Sequence, residues 1–324
     1  MNYNAASGLA DVPETATRTK REASIKAFYF SALKPDGVLP ALSTHKLLQL
    51  QGGMTMKKLV GILLFLTPLF AAAQSGIDGT WRIDLSKMQM DPKPLVLELK
   101  DGMYRCATCE VKDTIKADGK DHRITGDPYA DTMKIAVASG STVERVGKKN
   151  GRVNYRSVLT VSADGNTMTE KFEWHPASSD EVANGSAVYS RVGDPEAGAH
   201  AISGQWKTDK LVTLSNNALT FTYAPNGEGL TYKASTGESY RAQFDGKDYP
   251  YQGDPGTTAV ALTKIDDHTF QETYKRNDKV VGNARISVSP DGNSLNIAYE
   301  DKVRGRTDSW IAEKQGTGNQ EASK

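Results

Sequence analysis

The chain lacks an excess of charge of either sign: 40 Lys and Arg stand against 39 Asp and Glu in 324 residues. No overall field therefore recruits nucleic acid or an anionic membrane. Long apolar runs are missing too, with one exception, which excludes a polytopic membrane protein. At 38% hydrophobic and 24% charged, the composition is that of a soluble globular chain, neither collagen nor a disordered tail. Only two cysteines are present, so a four-ligand zinc site has no second cysteine pair, and no His-x₃₋₅-His spacing replaces one. Also absent are a Gly-x-Ser-x-Gly elbow, a phosphate-binding Gly-Lys-Ser/Thr loop and a His-Glu-x-x-His helix.

The one apolar run spans Leu59 to Ala73. It is preceded by Met54-Thr55-Met56-Lys57-Lys58 and ends in Ala71-Ala72-Ala73 before Gln74. A basic start, an apolar middle and a small-residue end read as a secretory signal peptide over 54–73, cleaved between Ala73 and Gln74. The run falls short of the roughly 20 residues that span a bilayer as a helix, so no stable membrane anchor is expected after cleavage. Residues 1–53 show no sustained periodicity, and the expectation is that they are a mis-assigned or disordered segment upstream of a true start at Met54 or Met56. The product is expected to be exported, periplasmic or extracellular. No Cys follows the cleavage site to carry a lipid.

The rest of the chain repeats itself. DGKDHRITGDP over 118–128 recurs as DGKDYPYQGDP over 245–255, and the same offset of 127 aligns VSADGN at 161–166 with VSPDGN at 288–293. Upstream, Gly79-Thr80-Trp81 matches Gly204-Gln205-Trp206 at an offset of 125. The expected organisation is one unit over 74–192, a small and polar linker over 193–201, a second unit over 202–316 and a disordered tail over 317–324. Each unit is long enough for a core of its own.

Apolar residues alternate in short runs, such as Leu219, Phe221 and Tyr223, or Met133, Ile135 and Val137. A period of two places each set on one face of a strand. Asp-Gly and Asn-Gly pairs at 101, 118, 150, 164, 245 and 291 supply tight turns between them. No apolar stripe at helical spacing persists for three turns. The fold class expected is all-β, with two tandem antiparallel meander barrels of about eight strands each; a pair of open sandwiches is the competing architecture.

Gly-x-Trp opening a first strand resembles the lipocalins, and here Gly79-Thr80-Trp81 and Gly204-Gln205-Trp206 carry the likeness. The resemblance implies that Trp81 and Trp206 close one end of each barrel and that a basic residue of the last strand lies across the indole. Arg191 fits that place at the end of the first unit; the second unit offers Glu313-Lys314 where an Arg is expected. The ordered set of Cys-x-x-Cys, ADGKD, GDP and VSADGNT is similar to a group of uncharacterised exported bacterial proteins, which implies export and a lipocalin-like barrel and no activity.

Cys106 and Cys109 fall three apart. In an extended strand they would be too distant to bond, so a disulfide requires the chain to turn there. A small disulfide loop is the leading reading for an oxidising compartment; a thioredoxin-like pair, which needs a helix after Cys106, and a zinc site are the alternatives. The duplicated Asp-Gly-Lys-Asp and Gly-Asp-Pro segments read as turns bracketing a short strand, since an EF-hand ligand spacing is absent. His122 aligns with Tyr249, and the other histidines of the repeats, His175, His200 and His268, share no position between units. No catalytic residues, metal or cofactor are therefore expected. Tyr223, Tyr232, Tyr240, Tyr249, Tyr251 and Tyr274 either line a cavity or fill an ordinary interior. The expected function is non-enzymatic binding of a small apolar or amphipathic ligand; the alternative is a structural or interaction module with barrels filled by their own side chains.

Overall fold

The computed structural model of the chain describes residues 76–316. Residues 1–53, the signal peptide over 54–73, the Ala73–Gln74 cleavage site and the tail over 317–324 lie outside the described residues. In chain order the first half comprises β1 (Gly79–Gln89), β2 (Leu95–Lys100), β3 (Met103–Cys106), β4 (Ile115–Lys116), β5 (Asp118–Arg123), β6 (Thr132–Ser139), β7 (Thr142–Lys149), β8 (Arg152–Val161), β9 (Thr167–Trp174) and β10 (Ala183–Val192). The second half comprises β11 (Gly204–Leu214), a single-turn α1 (Asn216–Leu219), β12 (Thr220–Asn226), β13 (Gly229–Ala234), β14 (Ser239–Gln243), β15 (Asp248–Gln252), β16 (Ala259–Lys264), β17 (Thr269–Arg276), β18 (Lys279–Val288), β19 (Ser294–Asp301) and β20 (Arg306–Lys314).

The Asp-Gly and Asn-Gly turns set this meander. Asp101-Gly102 and Asn150-Gly151 both hold two positive φ angles, as does Asn277-Asp278 at the place equivalent to Asn150-Gly151. That is the turn whose twist matches antiparallel strands. The alternation of apolar residues faces them inward, with Met133, Ile135, Phe221, Tyr223, Ile286 and Val288 buried. Val137 departs from this pattern: it lies two residues before the end of β6 and is 47% exposed. Leu219 is buried from α1 instead of from a strand.

Two barrel-like sheets of ten strands result, not eight. One is closed, in the order β1-β12-β13-β14-β15-β16-β17-β18-β19-β20; the other, β4-β3-β2-β11-β10-β9-β8-β7-β6-β5, lacks a ladder between β4 and β5. The equivalent join in the closed sheet is only two residue pairs, Ser239 with Gln252 and Tyr240 with Tyr251. In the other sheet a side chain takes that place, the Thr125 amide donating to Asp113 Oδ2 at 2.6 Å.

The units 74–192 and 202–316 were expected to supply one barrel each, and here the structure differs. The first strand of each repeat is exchanged: β1 lies between β12 and β20, while β11 lies between β2 and β10. The exchange is reciprocal to the residue. Gly79 pairs with Tyr223 and Trp81 with Phe221 in one barrel; Gly204 pairs with Leu97 and Trp206 with Leu95 in the other. We call the barrel of β2–β11 amino-terminal and that of β1 with β12–β20 carboxy-terminal.

Connection chemistry accounts for the exchange. Residues 90–94, between β1 and β2, include Pro92 and Pro94, which favour extended backbone over a reversal. Asp91 is fixed to the carboxy-terminal barrel, its amide donating to Asp308 (2.8 Å) and its Oδ2 accepting from the Thr307 amide (2.7 Å). The segment expected to be an inter-unit linker, 193–201, instead joins two strands of the same sheet, β10 and β11, so sequential strands pair as antiparallel neighbours. It is also an end cover. Arg191 donates to the carbonyls of Ala201 and Ser203, both at 2.7 Å, and Ile202 is fully buried. Ile77 does the same before β1 at the other barrel.

Candidate ligand-binding site

Both opening tryptophans are fully buried, and each indole N–H donates to a carbonyl four residues back, Trp81 to Ile77 and Trp206 to Ile202, at 2.8 Å. The expected cation over the indole is present in both barrels, with partners reassigned by the exchange. Arg191 lies 4.1 Å from the ring centroid of Trp206, not over Trp81. Lys314 Nζ takes the equivalent place 5.3 Å from Trp81, a lysine where the resemblance implies an arginine. Each contact contributes about 0.5–2 kcal/mol.

Cys106 and Cys109 are joined in a disulfide, with Cα atoms 5.4 Å apart after the chain bends beyond β3. A loop this short constrains little of the unfolded chain, giving about 2 kcal/mol at most. The two repeated motifs behave as turns. Asp118 and Asp245 each accept an amide two residues on, from Lys120 and Lys247, and then a side chain four residues on, from His122 and Tyr249. The hydrogen bond with His122, 2.7 Å long, holds the Asp118 carboxyl down at about 2. Alignment of a histidine with a tyrosine thus reflects one shared structural contact. Among the described residues no cluster of three His, Cys, Asp or Glu could hold a metal ion.

The Gly-Asp-Pro turns sit where the barrels meet. Asp127 accepts from the Tyr155 hydroxyl at 3.0 Å, and Asp254 accepts from Tyr129 of the amino-terminal barrel at 2.8 Å. Tyr129 packs so closely on Gly256 that a Cβ there would lie 2.1 Å from its oxygen. Burial beside Asp254 pushes the Tyr129 hydroxyl pKa far up, so it stays a donor. Arg276 and Glu110 add a cross-barrel ion pair at 2.6 Å.

Around this junction lie three cavities that share walls. One of about 310 Å³ lies in the amino-terminal barrel; one of about 470 Å³ lies between the barrels; one of about 280 Å³ lies in the carboxy-terminal barrel. Tyr129, Tyr155 and Trp174 line the first two, and Ile83, Phe221, Tyr232, Tyr251 and Asp254 line the last two.

The two interiors differ in charge at one equivalent position. Inward register places Arg145 in β7 and Glu272 in β17, which align at the offset of 127. Arg145 is neutralised: it pairs with Glu170 and donates to Ser157 Oγ (2.9 Å) and to the Tyr104 hydroxyl (3.1 Å). Glu272 is 1% exposed and has no basic partner among the described residues. It accepts instead from the hydroxyls of Tyr223 (2.8 Å), Tyr240 and Tyr274.

The expected tyrosines are therefore interior, except Tyr249, whose hydroxyl goes to Asp245 at the sheet surface. The others belong to a chain of rings running Phe244, Phe270, Tyr223, Tyr232, Tyr240, Tyr251, Tyr274, Tyr299 and Trp310, with successive centroids 5.3 to 6.4 Å apart. The amino-terminal barrel has only Phe172 against Trp174 among its described residues. One cross-strand pair shows how the difference is accommodated. Gly147 faces Tyr155 in β7 and β8, whereas Tyr274 faces Gly282 in β17 and β18, so the large residue changes strand while the pair keeps its volume.

Burial pushes the Glu272 carboxyl above its usual range, and the three tyrosine donors offset part of that rise. Folding then favours the protonated acid. Its stabilising contribution is complete below the unfolded value near 4.5 and is lost as pH rises through the folded one. Glu272→Gln is expected to gain stability relative to the parent between pH 4 and pH 9, by about 1.4 kcal/mol per unit of the rise. Urea unfolding of both proteins across that range checks it, and a difference constant with pH would refute it.

No protein-family model matches the chain, and no curated protein matches its sequence.

Proposed function

We propose that the protein is an exported, non-enzymatic binding protein that holds a small apolar or amphipathic molecule within two lipocalin-like barrels. The observation that carries this reading is the run of wall-sharing cavities, each with aromatic side chains in its wall, of which the carboxy-terminal one is lined mainly by aromatic and aliphatic side chains. Barrels filled by their own side chains would instead have favoured an interaction module. Support for a lipocalin-like construction comes from the buried Gly-x-Trp tryptophans with a cation over each indole. Support for export comes from the basic, apolar and small-residue sequence over 54–73 and from a disulfide, which persists in an oxidising compartment. Native mass spectrometry of protein purified from its source compartment tests the reading. A co-purifying small molecule at stoichiometric occupancy is expected; a consistently empty mass would overturn it.

A further inference from the structure

The carboxy-terminal chamber combines two features that bear on what it could hold. Its wall is a belt of aromatic side chains, and its polar centre is the buried Glu272 carboxyl with no cationic partner among the described residues. Aromatic faces present negative electrostatic potential, so neither feature suits an anion, and both suit a positive charge too bulky to be solvated tightly. The lining contains no Lys, Arg or His, and it includes a second carboxylate, Asp254. In the other barrel the equivalent inward position is Arg145, already paired with Glu170.

We propose that the chamber of β12–β20 selects an amphipathic organic cation, an alkylammonium head set among the tyrosines against Glu272, with its apolar tail running into the cavity between the barrels. This rests on the ligand-binding reading above and names its chemical class. The tail's direction follows from the walls: Phe221, Tyr232 and Ile83 line both cavities, which places the larger space beside the head. Tyr223, Tyr240 and Tyr274 orient the carboxylate by donating to it, the first two to Oε1 and the third to Oε2. Tyr232 and Tyr251 are the remaining titratable groups beside it, with Tyr299 and Asp254 on the same wall. Burial holds the empty carboxyl toward its acid form. A cation beside it lowers the pKa again, so any proton that the empty carboxyl holds leaves for solvent on binding.

The test is calorimetric titration of the whole secreted chain with decyltrimethylammonium, decanol and decanoate, which share a tail and differ in head charge, below micelle-forming concentrations. The cation is expected to bind at least about tenfold tighter than either of the others, with proton release visible as a dependence of the apparent enthalpy on buffer ionisation enthalpy. In Glu272→Gln the preference is expected to fall below about threefold, with decanol binding retained. Equal binding of all three, or preference for decanoate, would overturn the cation selectivity and leave the binding function intact. Binding of none would overturn the binding function itself. The comparison of the three ligands on the unaltered chain stands even if the variant fails to fold.

Discussion

Trp81→Ala is expected to open the carboxy-terminal barrel and leave the amino-terminal one closed, although Trp81 belongs to the first repeat. Its indole is fully buried against the core that contains Phe221, Ile286 and Leu295, and its strand is the one that closes the ring between β12 and β20. Truncating a tryptophan in such a place costs about 3–5 kcal/mol, a large part of the stability of a single domain. Amide hydrogen exchange followed by mass spectrometry reads the effect by region. Protection in β12–β20 should fall by about two to three and a half orders of magnitude, while β5–β9 keep theirs. Trp206→Ala should reverse the pattern. Protection lost from β2–β10 in Trp81→Ala would mean that each repeat closes on its own strand.

The same exchange shows how far the sequence could be read. The duplication, the all-β class and the turn dipeptides were all legible, because the order and alternation of residues display each of them directly. Strand partnership was not. A first strand returned to its own repeat would place Trp81 beside Leu95, and the exchanged one places it beside Phe221, with the same register and the same kind of apolar neighbour. Nothing in the composition of β1 distinguishes the two. The signal lay in residues 90–94, where two prolines stand in place of a turn, and in the absence of a turn dipeptide over 215–219. Strand number was underestimated for a related reason. A two-residue strand such as β4, Ile115–Lys116, is too short to show any period.

Within the candidate site, the tyrosines were visible as a cluster, but the residues giving the chamber its character were not singled out. Arg145 and Glu272 read as ordinary charges in a charged chain. Their inward direction was recoverable from their neighbours: Val143 lies two residues before Arg145 and Phe270 two before Glu272, and both are buried. A charge in phase with buried apolar residues on a strand deserves the question of what neutralises it. For Arg145 the answer lies on β9, at Glu170, and for Glu272 it lies on no charged side chain among the described residues. The contrast between the two interiors depends on what faces each position across the barrel, which a single strand's sequence does not contain.

The second large effect concerns the repeat alone. A chain of residues 202–324 carries its own first strand, β11, and the same 215–219 connection that directs that strand away from β12. Expressed by itself it is expected to form a dimer in which each copy lends β11 to the other, occupying the slot between β12 and β20 that β1 fills in the full chain. The registers permit it, since Gly204 and Trp206 stand in their sheet as Gly79 and Trp81 stand in theirs, and Lys314 remains available to cover Trp206. A monomer without β11 in the slot would expose the edges of β12 and β20, which are templates for uncontrolled pairing. Reciprocal exchange removes both edges and generates two equivalent closed barrels at little cost in new contacts. Sedimentation velocity at micromolar concentrations should give a dimer that converts to aggregates, not to folded monomers, when Trp206 is replaced by Ala. A stable folded monomer, with full amide protection in β11 at every concentration, would mean that the 215–219 connection can reverse, and that the tandem arrangement alone holds the strands apart.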